Sequence, residues 1–211
     1  MNSVGLCVPT GRLNSEHLDG LARLAEVYGT GDLRLTTSQN VILVNVPVTK
    51  IPELLAEPLL KEISPDPHPF LRGLVTCTGT DYCNLALIET KTIGKNLAAS
   101  LAKQFPKGLQ ANMAWSGCPA ACGNHHAADI GFQRAKARID GKIVDTVSIF
   151  MGGRTGVDPR AGEKIMELVP VDVLGDVVPM ILRNLDTLLN MRRDHTAEER
   201  IVMVPALAVD R

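Results

Sequence analysis

Two stretches organise the chain: Thr76-Cys77-Thr78-Gly79-Thr80-Asp81-Tyr82-Cys83 and Ser116-Gly117-Cys118-Pro119-Ala120-Ala121-Cys122-Gly123-Asn124-His125-His126. We name them the first and the second cysteine loop. The first spaces its two cysteines as C-x5-C and the second as C-x3-C. Glycine or proline flanks each pair and lets the backbone come close to a bulky group. Four thiolates from two loops are the ligand set of a [4Fe–4S] cluster, in which each iron takes one thiolate.

The cysteines have three other interpretations. Zinc also takes four thiolates, but its cysteine pairs usually have shorter gaps than the five residues of the first loop. Disulfides are not expected in a reducing compartment, and no secretory signal precedes the first loop. Buried cysteines can also act as small apolar side chains. We expect that last role for Cys7, which lies in an apolar run and is left over from the four.

Composition narrows the class of protein. The chain has 211 residues, enough for one large domain or two small ones, and 45% of them are hydrophobic. A charged share of 21% and a formal net charge of −1 argue against a nucleic-acid-binding surface. No apolar run reaches the roughly 18 residues that a membrane span requires. We therefore expect a cytoplasmic protein that binds neither nucleic acid nor membrane.

The first segment, residues 1–64, has the pattern of a small α+β unit with the order β-α-β-β-α. Asn14 or Ser15 is a suitable cap for its first helix, and Gly29 and Gly31 end that helix. The predicted elements are a strand at Ser3–Val8, a helix up to Tyr28, strands at Asp32–Thr36 and Val41–Val46, and a weak helix at Ile51–Leu60.

The second segment, residues 65–192, follows a stretch with three prolines at 63–69 that favours stiff, extended backbone. We predict a domain boundary here and a tail at 193–211. Predicted strands at 71–77 and 110–115 each lead into a cysteine loop, so neighbouring strands would hold both loops on one rim. The other predicted elements are a helix at 84–105, strands at 128–139 and 143–150 joined at Asp140-Gly141, and helices at 161–168 and 171–191. The overall prediction is α+β with a mixed or antiparallel second sheet.

The cysteine loops and their flanks resemble the sirohaem-dependent nitrite and sulfite reductase family. The resemblance covers roughly residues 4 to 190 and extends to several other stretches. These are Gly5–Pro9, Leu33–Asn40, Asn84–Lys91, Ala128–Phe132 and Met151–Gly156. The stretches 86–91 and 128–131 look nearer to the nitrite enzymes than to the sulfite enzymes.

The resemblance implies a ferredoxin-like first unit and a second domain that holds a [4Fe–4S] cluster and sirohaem. It implies Cys77, Cys83, Cys118 and Cys122 as cluster ligands, with Cys122 shared between the cluster and the sirohaem iron. The implied activity is that of an oxidoreductase that reduces nitrite to ammonia, or sulfite to sulfide, in six one-electron steps. A small ferredoxin is the implied electron donor, and no nucleotide-binding glycine motif predicts a site for NAD(P)H.

Sirohaem carries eight carboxylates, so its pocket requires cationic and amide donors. The candidates are Gln39 and Asn40, which the resemblance supports, and also Arg34, Gly152, Gly153 and Arg154. The two glycines offer backbone N–H groups, although a plain tight turn is an equal interpretation. His125 and His126 fit loop or supporting roles better than metal ligation.

The resemblance is to the second half of full-length members only. The cations that bind substrate in the first half have no counterpart here. We therefore expect that the chain is a fragment, that a second polypeptide supplies the missing half, or that the protein has lost turnover. Two other functions stay open: a cluster-only electron-transfer or scaffold subunit, and an enzyme resembling precorrin-3B synthase.

Overall fold

A computed structural model describes residues 1–106, 111–139 and 141–184. Two sheets form its framework, one from the first three strands and one from the other five. The strands are β1 (Asn2–Leu6), β2 (Leu33–Leu35), β3 (Val41–Val46), β4 (Leu74–Thr76), β5 (Met113–Ser116), β6 (Ile130–Ile139), β7 (Lys142–Met151) and β8 (Glu163–Pro170). The α-helices are α1 (Ser15–Tyr28), α2 (Ile51–Leu55), α3 (Pro69–Arg72), α4 (Lys91–Gln104) and α5 (Leu174–Arg183).

The first sheet has the order β1-β3-β2, and both of its pairings are antiparallel. Asn14 caps α1, as predicted: its side chain accepts from the N–H of His17, and the His17 ring pairs with the N–H of Asn14. Leu21, Leu24 and Ala25 recur at helical spacing and pack on the sheet, where Leu43 is fully buried. The predicted β-α-β-β-α order is confirmed.

The second sheet is mixed, with the order β4-β5-β6-β7-β8. The first three strands run parallel, and the last two pairings are antiparallel. Trp115 stacks on Phe132 at 4.3 Å between ring centroids, in a core that α4 and α5 cover. Because β4 and β5 are parallel neighbours, their carboxyl ends meet at one edge of the sheet.

The predicted hairpin is confirmed for the residues that the structure describes. β6 pairs with β7 from Ile130 opposite Met151 to Ile139 opposite Lys142. Gly141 has a φ of 76°, which suits glycine in a tight turn. Asp140 lies outside the described residues.

Two predicted helical stretches were wrong. Residues 161–168 contain helix formers, but Glu163–Pro170 is a strand on β7, because pairing with a free strand edge overrides weak helix propensity. Residues 84–90 form a loop and α4 starts only at Lys91. The N–H of Leu87 donates to the carbonyl of Gly117 at 2.9 Å and is therefore not available for a helical hydrogen bond. The last predicted helix begins at Leu174, and residues 185–191 lie outside the described residues.

The domain boundary at residue 64 stays a prediction. Hydrogen bonds connect the turn between β2 and β3 in the first segment to β4 in the second. The side chain of Gln39 pairs with both backbone groups of Thr76, at 2.7 Å from Nε2 to the carbonyl and 3.2 Å from the N–H to Oε1. Cys7 is buried, as predicted, and its N–H donates to the carbonyl of Ser64 at 2.9 Å. No helix among the described residues has the length and apolarity to cross a bilayer.

Candidate iron–sulfur and cofactor site

The two cysteine loops lie side by side at the carboxyl edge of β4 and β5, so the predicted common rim is confirmed. The N–H of Cys77 donates to the carbonyl of Trp115 at 2.9 Å, which extends the parallel pairing into the first loop. The N–H of Leu87 donates to the carbonyl of Gly117 at 2.9 Å. The two cysteine loops, which are distant in sequence, are therefore held next to each other by backbone hydrogen bonds.

The sulfur of Cys77 sits in a cradle that the second loop completes. The N–H of Gly117 points at Cys77 Sγ from 3.1 Å. A Cβ on Gly117 would lie 3.3 Å from that sulfur and 3.3 Å from Ala86 Cβ, so a side chain there would crowd the thiolate. The buried Thr90 hydroxyl donates to the carbonyl of Cys77 at 2.8 Å. The two donors therefore fix the sulfur and the backbone of Cys77 in the loop.

The second cysteine loop folds back on the end of β5. The N–H of Gly123 donates to Ser116 Oγ at 3.2 Å, and Ser116 Oγ also lies 2.8 Å from His125 Nδ1. Ala121 and Asn124 adopt positive φ angles of 61° and 56°, which tighten the turn around Cys122. Ser116 and His125 therefore hold the loop from inside, without being placed as metal ligands.

His125 is fully buried between His126 and Phe150. Its Nε2 has no hydrogen-bond partner among the described residues. Burial, and then the neighbouring His126, lower the pKa of His125 from 6.5 to about 4, because both disfavour the charged imidazolium. His125 is therefore neutral near pH 7, and its ring is hydrogen-bonded to Ser116 and packed against His126 and Phe150.

We expect the cofactor-free protein to lose stability as the pH falls from 6.5 toward 4 through His125. In this pH window His125 takes up a proton in the unfolded chain but not in the folded chain. Acidification therefore favours the unfolded state and lowers the free energy of unfolding. The shift corresponds to at most about 3 kcal/mol. Urea unfolding of the wild type and of His125→Gln at about pH 7 and about pH 4.5 measures it. Equal losses in the two proteins on acidification would contradict this role for His125.

A cleft of about 1320 Å³ opens beside the cysteine loops, between residues 9–14 and the start of α4. Cys77 and Cys122 both line it. We name it the cationic cleft, because Glu62 is the sole acidic side chain among its described lining residues. Its lysine and arginine side chains are those of Arg12, Lys61, Lys91 and Lys95.

Two of these cations are held in the cleft wall by specific contacts. Arg12 forms an ion pair with Asp81 of the first cysteine loop and lies 3.7 Å from Glu89. Lys91 is buried, and its Nζ donates to the carbonyl of Thr10 at 2.5 Å. Burial, and then Arg12, lower the pKa of Lys91, while Cys77, Glu89 and Asp81 act in the opposite direction.

The structure places one of the predicted sirohaem contacts in the cleft. Gln39 lines it, although its amide is already paired with Thr76. Asn40 is not among the lining residues and bridges Val8 N–H (3.0 Å) and the carbonyl of Arg72 (3.5 Å). Arg34 is exposed on β2, outside the lining. Cofactor binding by these three side chains stays a prediction.

The predicted glycine loop supports the second cysteine loop and does not line the cleft. A Cβ on Gly153 would lie 2.3 Å from the carbonyl of His126, so backbone packs on backbone there. Gly152 donates its N–H to the carbonyl of Asp129 at 3.0 Å. Arg154 forms an ion pair with Asp158 and a backbone bridge with Arg160. Cofactor binding by Gly152, Gly153 and Arg154 also stays a prediction.

The four loop thiols suit a cluster in chemical terms. All are free: Cys122 is exposed, and Cys77, Cys83 and Cys118 are half-buried. Within the described ranges, no three His, Cys, Asp or Glu side chains gather closely enough to hold a single metal ion. A cluster binds one thiolate per iron and so spaces its ligands more widely than a single ion does. Free thiols from adjacent loops, a glycine cradle and a cationic cleft fit an anionic iron–sulfur group beside a polycarboxylate.

Sequence reasoning missed Arg12, Lys61, Lys91 and Lys95. Lys91 lies in one of the stretches that carry the resemblance, but nothing in its neighbours distinguishes it from a solvated lysine at the start of a helix. Its acceptor Thr10 is 81 positions away. Only the folded contact between Thr10, which follows β1, and the start of α4 shows that Lys91 lies in the cleft wall.

Two family models match the chain. The "Nitrite/Sulfite reductase ferredoxin-like half domain" matches residues 1–61, and the "Nitrite and sulphite reductase 4Fe-4S domain" matches residues 68–203. The second match alone covers more than half of the chain.

Curated relatives and solved structures agree with these matches. The chain is 50% identical over 182 residues to a ferredoxin–nitrite reductase of Synechococcus elongatus, covering 86% of this chain and 36% of the relative. It is 45% identical over 184 residues to the chloroplastic enzyme of Zea mays, covering 86% and 32%. The Mycobacterium tuberculosis NirA structure superposes with a TM-score of 0.81 at 26% identity, covering 87% and 35%. The chain therefore spans about a third of the length of these relatives.

Proposed function

Because the chain belongs to the nitrite and sulphite reductase 4Fe-4S domain family, we propose that it forms the cluster-bearing part of a nitrite-reducing oxidoreductase. The cofactors of this family are a [4Fe–4S] cluster and sirohaem. The observation that carries the proposal is the meeting of both cysteine loops at one sheet edge, beside the cationic cleft. Nitrite is favoured over sulfite because the relatives with 40–50% identity are ferredoxin–nitrite reductases.

Cys77, Cys83, Cys118 and Cys122 would hold the cluster, one iron each. Cys122 suits the shared position next to the sirohaem iron, because it is exposed and lines the cleft, as a thiolate that faces a second group must do. The N–H of Gly117 donates to the sulfur of Cys77, and the hydroxyl of Thr90 donates to its carbonyl. These residues bind and orient the cluster and set the hydrogen bonds that tune its potential.

The cationic cleft would take the sirohaem carboxylates. Arg12, Lys61 and Lys95 supply charge and Gln39 supplies an amide, which together suit carboxylate oxygens. When bound, sirohaem and the cluster supply the redox chemistry for a small anionic substrate, and the protein positions them. Arg12 also has a structural role, because its ion pair with Asp81 restrains the loop that carries Cys77 and Cys83.

The proposed partners are a further polypeptide segment and a small ferredoxin. It spans about a third of its relatives, so a further polypeptide segment would close the cleft and supply the substrate-binding cations. A small ferredoxin is the proposed electron donor, as the names of the relatives indicate for those proteins. Free thiols in accessible loops suit a reducing location such as the cytoplasm.

We expect the reconstituted protein to take up sirohaem in a stoichiometric amount when the two are mixed anaerobically. An absorption titration measures the uptake, and Cys122→Ala should weaken it by removing the shared thiolate. Cys7→Ala is the matched control, since that cysteine is buried in the first unit and does not line the cleft. A protein that takes up iron and sulfide but no sirohaem would instead be a cluster-only electron-transfer subunit. Hydroxylation of a tetrapyrrole without nitrite turnover would favour an enzyme resembling precorrin-3B synthase.

A further inference from the structure

Lys91 is a buried cation whose hydrogen-bond partners are neutral. Its side chain is 8% exposed, at the first position of α4. The Nζ atom donates to the carbonyl of Thr10 at 2.5 Å and lies 3.4 Å from the hydroxyl of Thr76. Within the described ranges, no carboxylate forms an ion pair with this ammonium. A buried charge in neutral surroundings is unfavourable unless an opposite charge shares its site.

The acidic side chains near Lys91 are committed to other partners. Asp81 is paired with Arg12. Glu89 accepts from the backbone N–H groups of Lys91 itself (2.8 Å) and of Thr92 (2.7 Å), where it caps the start of α4. Asp81 and Glu89 therefore act on the Lys91 ammonium only through space, and a further negative charge beside the cleft would stabilise it.

Cys77 is the neighbouring residue that would carry negative charge as a cluster ligand. Thr76, whose hydroxyl faces Lys91, directly precedes Cys77 in the chain, and both Lys91 and Cys77 line the cationic cleft. A [4Fe–4S] cluster with four thiolates carries net negative charge and gains more on reduction. Because Lys91 is buried, its charge is screened less than that of an exposed side chain.

We propose that Lys91 is the charge-compensating residue of the iron–sulfur cluster and that it raises the reduction potential of the cluster. The inference rests on the proposed function, because it requires a cluster at Cys77. Lys91 is a positioning and tuning residue, since it acts on the cluster through space and supplies no ligand. The hydrogen bond from Lys91 to Thr10 fixes the position of the ammonium group. The first unit therefore influences the reduction potential of the cluster that the second unit binds.

The test compares the reduction potential of the reconstituted cluster in four proteins: the wild-type chain and three single-residue variants of it. Lys91→Met removes the charge and keeps most of the stem. Lys91→Gln removes the charge but retains a donor for Thr10. Lys95→Met is the matched control, because Lys95 lines the same cleft one turn along α4 and is exposed. In redox titrations followed by electron paramagnetic resonance, both Lys91 variants should shift to a more negative potential, and Lys95→Met should shift much less.

A second measurement separates charge compensation from a merely structural role. In the cluster-free protein the Lys91 ammonium lacks its countercharge, so the midpoint of urea unfolding for Lys91→Met should equal or exceed that of the wild type. With the cluster bound, the same variant should retain less iron during dialysis against a chelator. A structural lysine would show the reverse: a less stable cluster-free variant with an unchanged potential, which would overturn the inference.

The failures of the two proposals are distinguishable. A wild-type protein that takes up no iron and sulfide overturns the proposed function, and this inference with it. A wild-type protein that holds the cluster, with Lys91 variants whose potential equals that of the wild type or shifts no further than Lys95→Met, overturns the role of Lys91 alone.

Discussion

Cys77→Ala should lose at least one of about four irons per chain after anaerobic reconstitution, and Cys7→Ala should bind as much iron as the wild type. Cys77 lies at the sheet edge, with its sulfur facing the N–H of Gly117 at 3.1 Å. Cys7 is buried in the first unit, where burial raises the pKa of its thiol despite the opposing charge of Arg72. A buried, protonated thiol is not a ligand, so the same substitution should separate the two roles.

Iron and acid-labile sulfide are counted per chain, and urea unfolding is measured in parallel. Cys7→Ala should cost stability on the order of 1 kcal/mol, because it removes one buried sulfur from a packed site. Cys77→Ala should cost less in the cluster-free protein, because Cys77 is half-buried beside a cleft. Full iron binding by Cys77→Ala would contradict the site.

Gly123→Ala should destabilise the protein by about 3 kcal/mol and weaken iron binding together. A Cβ at this position would lie 1.9 Å from the carbonyl oxygen of Trp115 and 2.6 Å from its carbon, which is main chain and cannot swing aside. The same carbonyl accepts the N–H of Cys77. Relief of the clash must therefore disturb the bond that joins the two cysteine loops.

Gly175→Ala is the matched control for that substitution. Gly175 lies in α5, has no atom within 4 Å of an added Cβ and does not have a positive φ. Alanine there should be neutral or stabilising by up to about 1 kcal/mol, since glycine is a poor helix residue. Denaturant midpoints of both variants give the comparison, and equal effects of the two substitutions would refute the close packing at Gly123.

The sequence was sufficient to predict the part of the fold that positions the cysteines. The strands predicted at 71–77 and 110–115 correspond to β4 and β5, which start later because Leu71 and Arg72 belong to α3 and β5 begins at Met113. Each strand ends where a cysteine loop begins. Because short connections and parallel neighbours place strand ends together, the common rim followed from local signals alone. The cap at Asn14 and the β6–β7 hairpin were equally local, since both depend on residues three or fewer positions apart.

Errors arose where long-range pairing decided the structure. Residues 163–170 became strand β8 because β7 offered a free edge, and a backbone irregularity at Leu168, with a φ of 54°, fits the shifted register. Gln39 and Asn40 were grouped as one polar stretch, yet Gln39 turns to Thr76 and Asn40 to Val8. Adjacent side chains with different partners cannot be separated by composition.

The most direct test of the account is Mössbauer spectroscopy of the wild-type chain reconstituted with isotopically enriched iron and sulfide. The account predicts about four irons and four sulfides per chain, with nearly all iron in the spectrum of a cubane cluster. Iron bound as a single tetrathiolate centre without inorganic sulfide would contradict the account, because the two loops would then coordinate one iron ion and not a cluster.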